Sequence, residues 1–228
     1  MKLFRFFSAL IVGSFVFLSP SLYGQSGSLY GASVDESAIL VRVINGRTTG
    51  PVQLRVGAHR LSAQNPGDVS GYVPIPADVF ILRYENQTIE FLPEPQTLYT
   101  LLAYDRGIRI LRDTPHRDPA RAQIYLYVSP SLSSAGVQSL ELRTSDGNQG
   151  IIAPTEPGSS TSIAVNPLTI SVATFQVSSS SNSQGSRLHW APPIELSMAR
   201  GQSYTLVAFV TPTGQPGLQV LQARVLVP

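Results

Sequence analysis

A six-residue string that occurs twice constrains this chain more than any other feature. Tyr99-Thr100-Leu101-Leu102-Ala103-Tyr104 returns 105 residues later as Tyr204-Thr205-Leu206-Val207-Ala208-Phe209, with four positions identical and two conservative. A polar turn precedes each copy, Glu94-Pro95-Gln96 and Arg200-Gly201-Gln202, and a strand-like segment follows each, Ile108 to Leu111 and Leu218 to Leu221. Upstream, Gln53-Leu54-Arg55 answers Glu141-Leu142-Arg143. A proline-led strand also recurs, from Pro76 to Tyr84 and from Pro167 to Phe175. The proline-to-tyrosine spacing is 23 in the first copy and 37 in the second. The extra length falls on the Ser-rich stretch from Ser178 to Ser186, which reads as a flexible loop. Two copies of one module explain this order better than one large barrel.

The apolar pattern within each copy has period 2, the period of a strand with one face buried. Ile39, Val41 and Val43 share a face and Arg42 points the other way. Val52, Leu54 and Val56 alternate with Gln53 and Arg55, and Ile124, Leu126 and Val128 with Tyr125 and Tyr127. Asn45-Gly46, Asn65-Pro66-Gly67, Asp146-Gly147, Pro157-Gly158 and Pro216-Gly217 supply turns. No ten-residue window has helical spacing, and 18 glycines with 18 prolines disfavour long helices. The expected fold is all-β, with two tandem antiparallel β-sandwich domains of Ig-like or jelly-roll-like type. Residues 26–113 form the first and 120–228 the second. The polar, Pro-rich stretch 114–119 is an exposed linker. Tyr99 and Tyr204 begin equivalent strands, where a hydroxyl can anchor on upstream backbone as a tyrosine corner.

Residues 1–25 read as a secretory signal peptide. Lys2 and Arg5 form a basic start, Phe6 to Leu18 an apolar run, and small residues near Gly24 a cleavage site. As a helix that run spans roughly 20 Å, short of the ~30 Å hydrocarbon core. The mature protein is therefore expected to be soluble in the periplasm. There is no cysteine, so hydrophobic cores alone must hold the fold. Of 16 basic residues, Lys2 and Arg5 leave with the signal, and the rest match the 14 acids. A balanced surface excludes a nucleic-acid partner. No lysine remains, and a fimbrial chaperone, an alternative with two Ig-like domains, needs a Lys and an Arg to hold its client's carboxylate.

Catalytic signals are weak. His59, His116 and His189 are far apart with no cysteine beside them, so no metal site is expected. Asp113-Thr114-Pro115-His116 spells D-x-x-H, the Asp/His block of serine esterases and acetyltransferases. The nearest nucleophile string, Gly67-Asp68-Val69-Ser70, has the wrong spacing, and the helices that support such a serine are missing. Paired carboxylates of a carbohydrate-active enzyme need not be neighbours in sequence, but balanced acids and arginines fit solvated ion pairs better. No P-loop or dinucleotide glycine fingerprint implies a cofactor. The chain is expected not to be an enzyme. Arg106, Arg109, Arg112, Arg117 and Arg121 fall within 16 residues, interleaved with Asp105, Asp113 and Asp118. This cluster is a candidate contact for a uronate polymer or an acidic partner, against the plainer alternative of Arg–Asp pairs across a solvated linker.

A set of ordered short segments resembles the alginate O-acetylation accessory protein family, the F component of bacterial alginate biosynthesis. They are Ser28-Leu29-Tyr30-Gly31, Ala38 to Asn45, Leu98-Tyr99-Thr100-Leu101, Arg121 to Tyr127, Ser139 to Gly147, Val165-Asn166-Pro167 and Arg200 to Tyr204. Ala77-Asp78 and Val128-Ser129 depart from the glycine and asparagine expected there, which leaves room for a divergent member serving another acetylated exopolysaccharide such as cellulose. The resemblance implies a periplasmic adaptor without transferase residues, working beside a membrane acyltransferase and a periplasmic acetyltransferase of an exopolysaccharide acetylation complex.

Overall fold

A computed structural model describes residues 38–78, 80–177 and 187–223. The signal peptide, Ser28 to Gly31 and the Ser-rich stretch Ser178 to Ser186 lie outside the described residues. Eight strands form the first half: β1 (Ala38–Asn45), β2 (Val52–Val56), β3 (His59–Ala63), β4 (Val73–Pro76), β5 (Phe80–Tyr84), β6 (Gln87–Phe91), β7 (Leu98–Tyr104) and β8 (Gly107–Asp113). Nine form the second: β9 (Ala122–Val128), β10 (Ser139–Thr144), β11 (Gly150–Thr155), β12 (Ser160–Val165), β13 (Thr169–Val177), β14 (Arg187–His189), β15 (Ile194–Ser197), β16 (Ser203–Val210) and β17 (Pro216–Ala223).

The first sandwich stacks the sheet β4-β1-β7-β8 on β3-β2-β5-β6. The second stacks β12-β9-β16-β17 on β11-β10-β13-β14, with β15 also paired to β13. Each sandwich has its own core. Ile39, Val41, Leu54, Leu82 and Leu101 anchor the first, and Ile124, Leu126, Leu140, Leu142 and Leu206 the second. The repeat is structural: the first strand of each half runs parallel to the strand carrying the repeated string, with Val41 opposite Tyr99 and Ile124 opposite Tyr204. One sheet of each sandwich is therefore mixed, where the sequence pattern suggested antiparallel pairing throughout.

Both tyrosines make the expected corners. The Tyr99 hydroxyl accepts from the Glu94 amide at 3.0 Å. The Tyr204 hydroxyl accepts from the Ala199 amide at 2.9 Å and donates to the Ser197 carbonyl at 2.8 Å.

Three details differ from the sequence reading. The proline-led strand Pro76 to Tyr84 is two strands in different sheets. Pro76 ends β4 opposite Ala38, and after the bend at Ala77-Asp78 the chain enters the other sheet at Phe80. A 3-10 turn, Pro130–Ala135, follows β9; Pro130 fixes the dihedral angle its start requires, and Ser129 caps it. Inner strands lack the half-buried pattern: every residue of β1, β9 and β16 is buried, whereas β2 and β5 alternate strictly.

Candidate functional site

Those inner strands are buried on both faces because the two sandwiches pack against each other through equivalent surfaces. Aligning Tyr99 with Tyr204 makes Arg42 equivalent to Tyr125, Ile44 to Tyr127, Thr100 to Thr205 and Leu102 to Val207. Ile44, Leu102, Tyr125, Tyr127, Val207 and Phe209 form one buried cluster. The outward face of the module thus meets its own copy, as in an isologous dimer, but within one chain.

A charged centre sits in this junction. Arg42, 2% exposed, donates from Nε to Thr100 Oγ1 at 2.8 Å, from Nη1 to Thr205 Oγ1 at 3.0 Å and from Nη2 to the Tyr127 hydroxyl at 2.7 Å. Two of the receiving hydroxyls, those of Thr100 and Tyr127, donate in turn to Asp113, and the Tyr72 hydroxyl joins them. Tyr127 donates to Oδ1, and Thr100 and Tyr72 to Oδ2, at 2.5, 2.5 and 2.6 Å. Arg42 and Asp113 lie 3.8 Å apart at their nearest charged atoms, joined by hydroxyls that accept from one and donate to the other. The guanidinium also lies 4.6 Å from the Tyr72 ring centre and 5.2 Å from that of Tyr127. A buried charge pair holds only when its remaining donors and acceptors are satisfied, and this network meets that condition.

The titration behaviour follows. Burial alone disfavours the Arg42 cation, but the Tyr127 and Tyr72 oxygens and the Asp113 carboxylate outweigh it and raise its pKa. Burial pushes the Tyr127 and Tyr72 hydroxyls up, and neighbouring Asp113 pushes them further, against the opposing pull of Arg42. Tyr125 shifts upward chiefly through burial.

The rim of the junction is tied as tightly. The Tyr125 hydroxyl donates to the Thr114 carbonyl at 2.6 Å. Ser129, in the Val128-Ser129 pair where the family resemblance departs from its expected asparagine, donates to the Gly46 carbonyl at 2.5 Å. Gly67 sits at φ +85°, and a β-carbon there would lie 2.5 Å from the Phe209 ring, so glycine is what allows that ring in.

The catalytic signals resolve into structural contacts. Asp113 does not face His116; it serves the Arg42 centre. His116 is buried rather than exposed in a linker, with Nε2 2.7 Å from the Asp118 carbonyl and Nδ1 3.4 Å from Ser203 Oγ. Ser203 is itself 2% exposed. Asp68 accepts from Asn65, and Ser70 accepts from the Val43 amide and donates to the Gly71 carbonyl. His189 packs on Phe175 at 4.2 Å. Among the described residues no three His, Cys, Asp or Glu side chains gather as metal ligands, and no helix is long and apolar enough to cross a membrane.

The five clustered arginines do not converge. Arg109 and Arg112 fall on opposite faces of β8, opposite Leu102 and Tyr99. Arg112 pairs with Glu94 at 2.7 Å and Arg121 with Asp118 at 3.5 Å. Arg106 lies in the turn between β7 and β8 and Arg117 on the exposed segment before β9. Arg109 reaches toward Gly158 at the edge of the junction. Sequence reasoning missed Arg42 and Tyr72; the available signal was a lone charge on the polar side of an otherwise apolar strand, beside a threonine that recurs in the repeat.

A protein of this build is a duplicated β-sandwich in which a deeply buried ion pair of the first copy, Arg42–Asp113, is hydrogen-bonded to Tyr127 and Thr205 of the second. The sequence matches the family described as Alginate O-acetyl transferase AlgF over residues 18–187. The chain belongs to this family, and its role is in alginate O-acetylation. No curated protein matches it. Among solved structures it is similar to the C-terminal domain of AlgF from P. aeruginosa, at 20% identity over 46% of this chain and 99% of that one, with a TM-score of 0.32. It is also similar to a putative cell adhesion protein from Bacteroides uniformis ATCC 8492, at 8% identity over 82% of this chain and 97% of that one, TM-score 0.24. A third, a putative cell adhesion protein from Bacteroides eggerthii DSM 20697, has 7% identity over 86% and 98%, TM-score 0.26.

Proposed function

We propose that this chain is a non-catalytic adaptor of the periplasmic machinery that O-acetylates alginate, exported by a cleaved signal and working between a membrane acyltransferase and a periplasmic acetyltransferase. Its modules would be residues 26–113 and 120–228, joined through 114–119. One observation carries the reading: the acid and base of the D-x-x-H motif both face inward. Asp113 is held by four partners in the junction. His116 sits between a carbonyl and a buried serine, at a length and on the ring nitrogen that do not suit a Ser–His–Asp relay. A buried nucleophile cannot meet a polymer hydroxyl. The family description contains the word transferase, so the reading needs a direct test.

Deleting the gene should leave polymer but remove its acetyl groups, while chains carrying His116→Ala or Ser203→Ala should restore them. A folded His116→Ala chain that accumulates normally but restores no acetylation would make the protein an enzyme. In the adaptor reading Arg106, Arg109 and Arg117 are the members of the cluster left free for an acidic partner or the polymer.

A further inference from the structure

The outer sheet of the first sandwich carries a row of three arginines that form no ion pair among the described residues. Register places Arg55 opposite Arg60 on β3 and opposite Arg83 on β5, and Arg83 opposite Thr88 on β6. All three arginines lie on exposed positions of one face. Like charges directly opposite one another destabilise a sheet, so folding gives no reason for this row. None of the three has an ion-pair or hydrogen-bond partner among the described residues. Two exposed acids share this face: Glu85, held at 2.7 Å by Arg47, and Glu90, which lies opposite Ile81 on β6, diagonal to Arg83, without forming an ion pair with it. Two shallow depressions flank Arg55 and Arg83; Ile81, 46% exposed, lines one of them.

We infer that this row is a docking site for an acidic helix of a protein partner, a reading that rests on the adaptor function. Neighbouring strands are about 4.8 Å apart, so the backbone positions of Arg60, Arg55 and Arg83 are evenly spaced across the sheet. A helix lying across the strands offers carboxylates at i, i+4 and i+7 with axial steps of roughly 6 and 4.5 Å, which match that spacing. Arginine pairs with carboxylates bidentately, and an exposed apolar side chain next to arginine is the composition of an interface core. Among the described residues this face has no aromatic ring on which a sugar could stack, so the row favours protein over polymer.

The test uses a side-chain-stapled helical peptide with glutamates at i, i+4 and i+7, and its glutamine counterpart, titrated onto the chain at low salt. The chain should bind the glutamate peptide at least tenfold more tightly than the glutamine one. The triple variant Arg55→Gln, Arg60→Gln, Arg83→Gln should lose that preference, and triple lysine should keep part of it. In cells the glutamine variant, present at normal levels, should lower polymer acetylation several-fold. Equal binding of the two peptides, wild-type acetylation by the triple variant, or mannuronate oligomers occupying the row in place of the peptide would each overturn the inference. If gene deletion removes acetylation while the triple variant keeps it, the row fails and the adaptor reading stands. If deletion leaves acetylation intact, both fall.

Discussion

Arg42 and Arg55 sit at similar places in their strands, each on the polar side of an alternating pattern, and their fates are opposite. Arg42 is covered by the second sandwich, and its donors meet Thr100, Thr205 and Tyr127 above a buried carboxylate. Arg55 lies on the outer sheet between two more arginines and meets no acid. Inside the junction Arg42 and Asp113 are both hydrogen-bonded; where charge is left incomplete, the surface is available to something else.

Breaking the inner centre should have the largest effect. Asp113→Ala strands the Arg42 cation in the junction and should cost about 3–5 kcal/mol, read by denaturant unfolding. Replacing Arg42 and Asp113 together with Met and Leu should recover most of that loss, because it removes the stranded charge. A double variant as unstable as Asp113→Ala would show that packing, not charge, holds the centre.

Next comes the close approach at the rim. Gly67→Ala adds a methyl against the Phe209 ring at a positive φ and should cost about 1–3 kcal/mol by thermal melting. Phe209→Ala should remove the steric part of that penalty in the double variant.

The tyrosines of the junction sharpen the comparison by pH. Their folded pKa values lie above the ordinary value of 10, so the stability they contribute is full below pH 10 and is lost as pH rises past it. Each should cost up to about 1.4 kcal/mol per pH unit in that range. Tyrosinate absorbance should rise in two phases, exposed rings first and the junction rings together with unfolding. A single phase at pH 10 with the fold intact would mean the junction is open to water.

On the outer sheet the effect should be smallest and of opposite sign. Arg55→Gln relieves like-charge contact and should leave stability unchanged or raise it by a few tenths of a kcal/mol. A loss above 1 kcal/mol would mean the arginines are held by contacts within the fold.

The sequence by itself determined the all-β class, most of the turns, the repeated tyrosine corners and the inward faces of β1, β2 and β9. These follow from local backbone preference and period-2 burial, which any stretch of chain carries in its own residues. Pro216-Gly217, read as a turn, instead opens β17 after a turn at 212–214. Only the tertiary structure decided the second face of the inner strands. Arg42, Thr100, Thr205, Tyr125 and Tyr127 alternate with apolar residues just as Arg55 and Arg83 do. Polar residues on the outward side look the same in sequence whether water or another sheet covers them. The D-x-x-H string was misleading for the same reason, since Asp113 acquired its partners from Arg42, Tyr72 and Tyr127, at sequence distances no local pattern records. Desolvation by a partner sheet is a property of two distant segments together, and it separated a sealed junction inside this protein from an open arginine row on its surface.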